Sequence, residues 1–539
     1  MQVLGLSALL ALGYAITICL YRTFLHPLAK VPGPFLSRIS GLPAFYYTLK
    51  KDRHIWLWRL HQKYGPVVRV GPNYLVFNTP EAYQAIYGTK TVTQKGEYYK
   101  TFYPEANAAT TWTALDKATH IRKRQVLSNT FSDKALRSAE PFIHSNVDRW
   151  CELLAQEVDG GKAWSKSLNM SDWVTYLIFD ILGDLCFGRC FDMKEPGSDL
   201  RYVPTLMMSF VEIMHPIAAS PFVSVWVYLK PRGLDKLLTI IAPPTMQKWD
   251  AFVKKCLAER ERVEEASYHR SSESPLSLPT GRQDFFHYLF KAVDPHTGRP
   301  AYNKAELLNE AGDLIVAGGD TTSTALSAAL FYLVRNPSIQ SRLAAEITSM
   351  FSSFEEIGTN SKKLYACHYL RAFTQEVLRM SPPVPADLPR EVQASPLYID
   401  GLCIPAGTTV GTATYCLQHN DTYHDDPFTF NPERWIVDEN DKTGSSAAKV
   451  ARAESCFSAF SAGSRGCIGK NLAYSEMYIV LAKFLYRFEI QEDGLNRIGG
   501  GSPEAVEGRR VVDQYQVHDI FVATRDGPVV QLRHRMRSS

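Results

Sequence analysis

The stretch Phe460-Ser461-Ala462-Gly463-Ser464-Arg465-Gly466-Cys467-Ile468-Gly469 (FSAGSRGCIG) decides the reading of this chain. It lies between a Ser/Ala-rich segment and an apolar periodic run, Lys470 to Phe488, that reads as a helix. A cysteine at a helix start meets unpaired backbone N–H groups and the positive end of the helix dipole, which favour thiolate. Glycines 463, 466 and 469 are expected to let the backbone turn sharply and approach a flat ligand with no Cβ in the way. Arg465 offers a forked pair of donors to a carboxylate, and Phe460 is placed to pack over the sulfur. Taken alone, a cysteine in a Gly-rich turn is usually a small buried residue. The full spacing Phe-x-x-Gly-x-Arg-x-Cys-x-Gly fits a thiolate ligand, a flat macrocycle and an acidic side arm better than zinc or a disulfide.

Working outward, Ala305 to Asn336 is the longest helical pattern, ~48 Å at ~1.5 Å per residue, and Pro337 ends it. Its centre reads Ala317-Gly318-Gly319-Asp320-Thr321-Thr322. Two adjacent glycines there cost roughly 1 kcal/mol each against alanine. They imply either space kept for a ligand or a close helix crossing, and Thr321 can equally bond back to its own helix. Glu376 and Arg379 share a helix face, and Phe430-Asn431-Pro432-Glu433-Arg434-Trp435 brings a second arginine further along. Leu115 to Ser132 reads as a helix with His120 and Arg124 on one face, while Arg122 and Lys123 suit a solvated basic face. Helical patterns also cover Ser171 to Cys190 and, with proline interruptions, Val203 to Ala258. Val67 to Val70 and Tyr74 to Phe77 flank Gly71-Pro72-Asn73 as a hairpin. Tyr398 to Val410 reads as a hairpin turning at Pro405-Ala406-Gly407, and Phe521 to Leu532 as a terminal hairpin. Ser271 to Gly281 and Val437 to Lys449 read as polar surface loops.

Four of these motifs, in order, resemble the cytochrome P450 family: the Asp320-Thr321 helix, Glu376/Arg379, the Arg434 segment and the Cys467 loop. The resemblance covers essentially the whole chain. It implies a mainly α fold with small β-sheets, and haem b held by Cys467 as axial thiolate. It further implies that His120, Arg124, Arg390, Phe460, Gly463, Arg465 and Gly469 bind the haem, with His120 where many relatives carry Trp. Asp320 and Thr321 would handle the protons that dioxygen cleavage consumes, and Glu376, Arg379 and Arg434 would form a buried structural network. Val384 to Leu388 would line the pocket, with the aromatic stretch Gly96 to Trp112 (Tyr98, Tyr99, Phe102, Tyr103, Trp112) above it. The implied activity is oxidation of a hydrophobic small molecule with dioxygen. No flavin or nicotinamide fingerprint is present, so electrons would come from an NADPH-cytochrome P450 reductase, with cytochrome b5 as a second donor. Lys117, Arg122, Lys123 and Lys470 would form the docking face. The layout from His26-Pro27-Leu28-Ala29-Lys30-Val31-Pro32-Gly33-Pro34 to FNPERW is similar to fungal members that tailor secondary metabolites. A reductase-independent haem-thiolate isomerase or dehydratase, and a haem sensor or electron carrier, are the competing classes. The Asp320-Thr321 pair argues against the first, and the second would share Cys467 but have no use for a dioxygen groove.

Composition sets the remaining bounds. With 45% hydrophobic and 12% aromatic residues among 539, the chain can bury a sizeable core. A net charge of +4 without a long basic run gives no sign of nucleic-acid binding. Ten cysteines lie scattered without a paired framework, which suits a reducing compartment. Cys186 and Cys190 have no second Cys/His pair at zinc spacing. Val3 to Tyr21 is uncharged and mostly apolar, close to the ~20 residues that span a bilayer. Arg22, His26, Lys30 and Arg38 follow it, which places the remainder in the cytosol. The expected layout is an anchor at 1–22, a Pro-rich hinge at 23–40 and a catalytic domain at 41–539, single-pass in the endoplasmic reticulum membrane.

Overall fold

The computed structural model describes residues 2–102, 108–158, 164–273, 284–294, 298–359, 361–494 and 497–536. Most of the Ser271 to Gly281 loop, and Tyr103 of the aromatic stretch, lie outside the described residues. Helix α1 (Gln2–Leu20) continues through a π turn at Tyr21–Leu25, so the apolar helix Leu4–Leu25 is slightly longer than its sequence pattern and stands clear of the protein core. The segment after it is docked: Arg69 N–H donates to the Pro32 carbonyl at 2.8 Å. A Cβ on Gly33 would lie 2.3 Å from the Arg69 carbonyl oxygen, so only glycine allows this approach. Short helix α2 (Phe35–Ile39) follows.

Strands β1 (Val67–Gly71) and β2 (Tyr74–Phe77) form the antiparallel hairpin at Gly71-Pro72-Asn73. They open a five-stranded sheet that also holds β3 (Thr93–Gln94). The chain then enters its helical layer with α3 (Lys117–Thr130), α4 (Asp133–Val158), α5 (Met170–Phe187) and α6 (Val203–Ala219). Central helix α7 (Lys304–Arg335) starts at a reciprocal capping box between Asn303 and Glu306 and stops ahead of Pro337. Behind it run α8 (His368–Met380), strands β4 (Arg390–Val392) and β5 (Thr409–Thr412), and α9 (Lys470–Arg487). Strands β6 (His518–Ile520) and β7 (Val522–Thr524) close the site from the C-terminal side. The sheet order is β1-β2-β5-β4-β3, with β2 and β5 parallel and the other pairs antiparallel. The main core gathers apolar faces of α4, α5, α7, α8 and α9.

Three sequence expectations are corrected. The tight turn of the 397–404 hairpin is Asp400-Gly401, with both residues at positive φ, and β5 leaves for the main sheet. Asp-Gly suits that turn better than Pro-Ala-Gly because neither Pro nor Ala takes positive φ readily. The C-terminal segment is no single hairpin: β6 pairs β7 across Phe521, while Val529–His534 pairs with Phe488–Glu492. The alternating apolar residues of that last strand find their ladder partners there. Finally, the polar loop after Val437 gives way to a helix at Ser445–Ser455.

Candidate active site

Cys467 sits three residues ahead of α9. Its N–H donates to the Phe460 carbonyl at 2.8 Å, and the Gly469 N–H donates to its sulfur. Burial pushes the thiol pKa up, while the Gly469 amide, Arg124 and Lys470 pull it down. The side chain is nevertheless accessible. An accessible thiol held up by burial faces an internal space rather than the outer surface. On α7, most of whose residues are buried in its C-terminal half, Ala317 is exposed and Thr321 partly so.

Of the three loop glycines only Gly463 has positive φ (64°), and its Cβ would lie 2.3 Å from the Tyr87 carbonyl oxygen. Its freedom therefore serves packing against the end of Pro80–Tyr87. Gly469 has ordinary φ and room for a Cβ, with neighbours at 3.8 and 3.9 Å. The Phe460 ring packs on Tyr474 at 5.1 Å.

Positive groups converge beside this loop. Arg124 donates to the Gly466 carbonyl at 2.7 Å, and Arg465 to the carbonyls of Ala114 and Leu115. Arg390 donates to the Tyr99 hydroxyl at 2.8 Å and lies over the Tyr87 ring. His120 is 3% exposed, and its pKa falls to about 3 through burial, Arg465, Lys95, Arg124 and Arg390. Lys95 completes the cluster. It is buried over Tyr99 and Trp112, with its own pKa forced well down by burial and the same arginines. Among the described residues, Lys95, Arg124 and Arg390 have no carboxylate ion-pair partner, although Asp313 pulls on Lys95 from further off.

Asp320 is 2% exposed and pairs with Arg525 at 2.5 Å; Arg525 also donates to Thr175 Oγ1 at 2.9 Å. Burial raises the Asp320 pKa against the opposing pull of Arg525. Thr321 donates to the Ala317 carbonyl at 2.7 Å. Glycines 318 and 319 face α5: their Cβ atoms would lie 2.8 Å from Leu182 Cδ1 and from Phe179 Cε2. The helix-crossing alternative thus accounts for both glycines, which keep no room for a ligand. Glu376 takes a forked pair of bonds from Arg379 at 2.8 Å each, with Trp435 Nε1 at 2.9 Å and Arg434 Nε at 3.5 Å. Those donors hold its carboxyl below the usual range despite full burial. The structure also corrects the docking face. Lys123 is fully buried and ion-paired with Glu306 at 2.6 Å, because the start of α7 covers it.

Residues 32–498 match the family model for cytochrome P450. The chain belongs to the cytochrome P450 family. It is 34% identical to the cytochrome P450 monooxygenase AKT7 of Alternaria alternata, over 99% of this chain and 98% of that protein. It is 33% identical to the cytochrome P450 monooxygenase poxM of Penicillium oxalicum, over 97% and 93%. A further relative is apf7 of Gibberella fujikuroi, 32% identical over 97% of each chain. The chain is accordingly a haem-thiolate monooxygenase.

The donor set fits that cofactor. An accessible thiol with an amide on its sulfur suits an axial ligand, and clustered cations satisfied by carbonyls and a phenol suit two propionates. A second cysteine, Cys456, does not compete. Its sulfur is 3.1 Å from His424 Nε2, it is fully buried, and its pKa is pushed up to about 12. Sequence reasoning missed Lys95 and Arg525. Neither sits in a motif, and only the fold brings them to the cations and to Asp320.

Proposed function

We propose that this P450 oxidises a hydrophobic small molecule, and that Cys467 would hold haem b through its thiolate. His120, Lys95, Arg124, Arg390 and Arg465 would hold its propionates. The convergence of the three arginines, with the buried donors His120 and Lys95 among them, on the loop that presents Cys467 carries this reading. Haem on a thiolate supplies dioxygen activation. One oxygen atom enters the substrate and the other leaves as water, consuming two electrons and two protons. The protein's part is to place the substrate and feed the protons. Asp320, tied to Arg525 and next to Thr321, is the carboxyl positioned to pass protons inward from the Arg525 side. Glu376, Arg379 and Arg434 brace the segment behind the loop, and their role is structural.

An apolar substrate is supported by packed rings beside Val316: Tyr98, Phe102, Trp112 and Phe521, with centroid distances of 5.0 to 6.4 Å. The fungal relatives support a place in secondary-metabolite biosynthesis. Electrons come from an NADPH-cytochrome P450 reductase, with cytochrome b5 as auxiliary, docking near Lys117 and Lys470. The enzyme is anchored by its N-terminal helix in the endoplasmic reticulum membrane, with the catalytic domain in the cytosol. The test is a reduced, carbon-monoxide difference spectrum of the wild type and of Cys467→Ser. A strongly red-shifted Soret band in the wild type alone is expected; a mutant that keeps it removes Cys467 as ligand. Turnover that requires NADPH and reductase separates the monooxygenase from the isomerase and sensor classes.

A further inference from the structure

The first 51 residues contain no acidic side chain at all, and the first carboxylate of the chain is Asp52. In the fold this one-sided stretch is not spread out. Arg22, in the last turn of the apolar helix, reaches back to donate to the Ile39 carbonyl at 2.6 Å. Arg69 of β1 is fully buried beneath it. Among the described residues its guanidinium donates only to carbonyls: Arg22 at 2.9 Å, Leu28 at 3.4 Å, and Pro72 at 2.6 and 3.1 Å. Burial, Arg38 and Arg22 lower its pKa to about 10, and Arg69 and Arg22 depress His26 beside it. Arg38 on α2 completes the group. Its Nε is enclosed by protein, yet the side chain makes no hydrogen bond or ion pair with any described residue. Buried charge without a counter-ion is unfavourable, and an enclosed donor without an acceptor adds to it. Around the group stand exposed Phe24, Leu25, Phe35 and Leu36, each more than 60% accessible.

We propose that Arg22, Arg38 and buried Arg69 form a seat for the phosphate of a membrane phospholipid, where the spanning helix meets the catalytic domain. Phosphate is the anion present in bulk at that depth of a bilayer, and the four apolar side chains would lie among the acyl chains next to it. Arg38 supplies the free fork of donors and Arg22 a neighbouring charge. Arg69 supplies fixed positive potential from below, since its nitrogens are already in use. The seat would also fix how the domain sits on the membrane, because Arg22 and Arg69 staple the helix end to β1.

The inference rests on the N-terminal helix lying in a bilayer, which flotation of the full-length chain with vesicles checks separately. The test is native mass spectrometry of the full-length holoprotein, titrated with dioleoyl phosphatidic acid or with dioleoylglycerol, which has the same tails and no phosphate. Arg38→Gln is the variant, because the Arg38 side chain bonds to no described residue. Lys63→Gln removes one exposed charge elsewhere as control. Unchanged haem spectrum and melting temperature establish that both variants fold. The expected result is one tightly held phosphatidic acid in the wild type and in Lys63→Gln, weakened at least about tenfold in Arg38→Gln (the loss of one charged hydrogen-bond pair). Dioleoylglycerol should not replace it, and excess inorganic phosphate should not displace it. Equal retention by Arg38→Gln, equal binding of dioleoylglycerol, or displacement by inorganic phosphate would each overturn the proposal. If flotation succeeds while retention is equal, the anchor stands and the seat does not.

Discussion

Glu476 is a carboxyl that the chemistry does not use, and its position makes it a probe of the fold. It lies on α9, 5% exposed, with the Thr322 hydroxyl of α7 as its partner. Burial pushes its pKa up to about 8, and the Thr322 bond pulls only partly the other way. Between about 4.5 and about 8 the folded state therefore holds a proton that the unfolded chain has released. The unfolded state binds fewer protons, so stability falls as pH rises through this window, by at most about 1.4 kcal/mol per pH unit. Below about 4.5 the contribution is fully present, and above about 8 it is lost. Glu476→Gln keeps the shape and stays neutral. Its stability relative to wild type should rise with pH across that window, as read from urea unfolding at several pH values. A constant difference between the two proteins would mean that Glu476 is already ionised in the folded state.

At the scale of elements, the crossing of α5 and α7 explains the glycine pair. The Phe179 ring is completely buried and cannot yield, whereas the Leu182 methyl that faces Gly318 is the end of a flexible side chain. Gly319→Ala should therefore cost roughly 1–3 kcal/mol by overpacking, and Gly318→Ala clearly less, both read from denaturant midpoints with haem content as control. Equal losses would show that helix propensity, rather than the crossing, governs the pair. This contrast also shows where the sequence was legible. Short-range codes could be read directly: the β1–β2 turn, the extents of α3, α7 and α9, and the i, i+3 pair on α8 all follow from neighbours along the chain. The 397–404 hairpin went astray where two turn signals competed within ten residues and Asp-Gly prevailed. Lys95 and Arg525 were invisible for a different reason. Their partners lie hundreds of residues away or on unrelated loops, and a single basic residue carries no local mark of being buried.

At the scale of the molecule, the apolar surface goes beyond the anchor. Phe24, Leu25, Phe35, Leu36, Leu42, Tyr46 and Leu49 are exposed near the domain's N-terminal corner. Gly41 lies against Pro221, which brings that corner next to the segment holding exposed Phe222, Val225, Tyr228 and Leu229. Ile240 and Ile241 follow at 77% and 62% accessibility. Helix Val223–Leu229 buries none of its own residues, so its apolar side chains are left to another phase. Apolar surface of this extent on a folded domain marks an interaction face, and its position beside the apolar N-terminal helix makes a bilayer the expected partner. Removal of residues 2–20 should therefore weaken membrane association without abolishing it. The shortened protein should still sediment with vesicles in high salt, because burial of apolar groups is not screened as charge pairing is. A second change, Phe222→Ser with Tyr228→Ser, should then release it to the supernatant with its haem spectrum intact. If the shortened chain is soluble without that second change, the exposed face does not reach the membrane, and the helix alone holds the enzyme there.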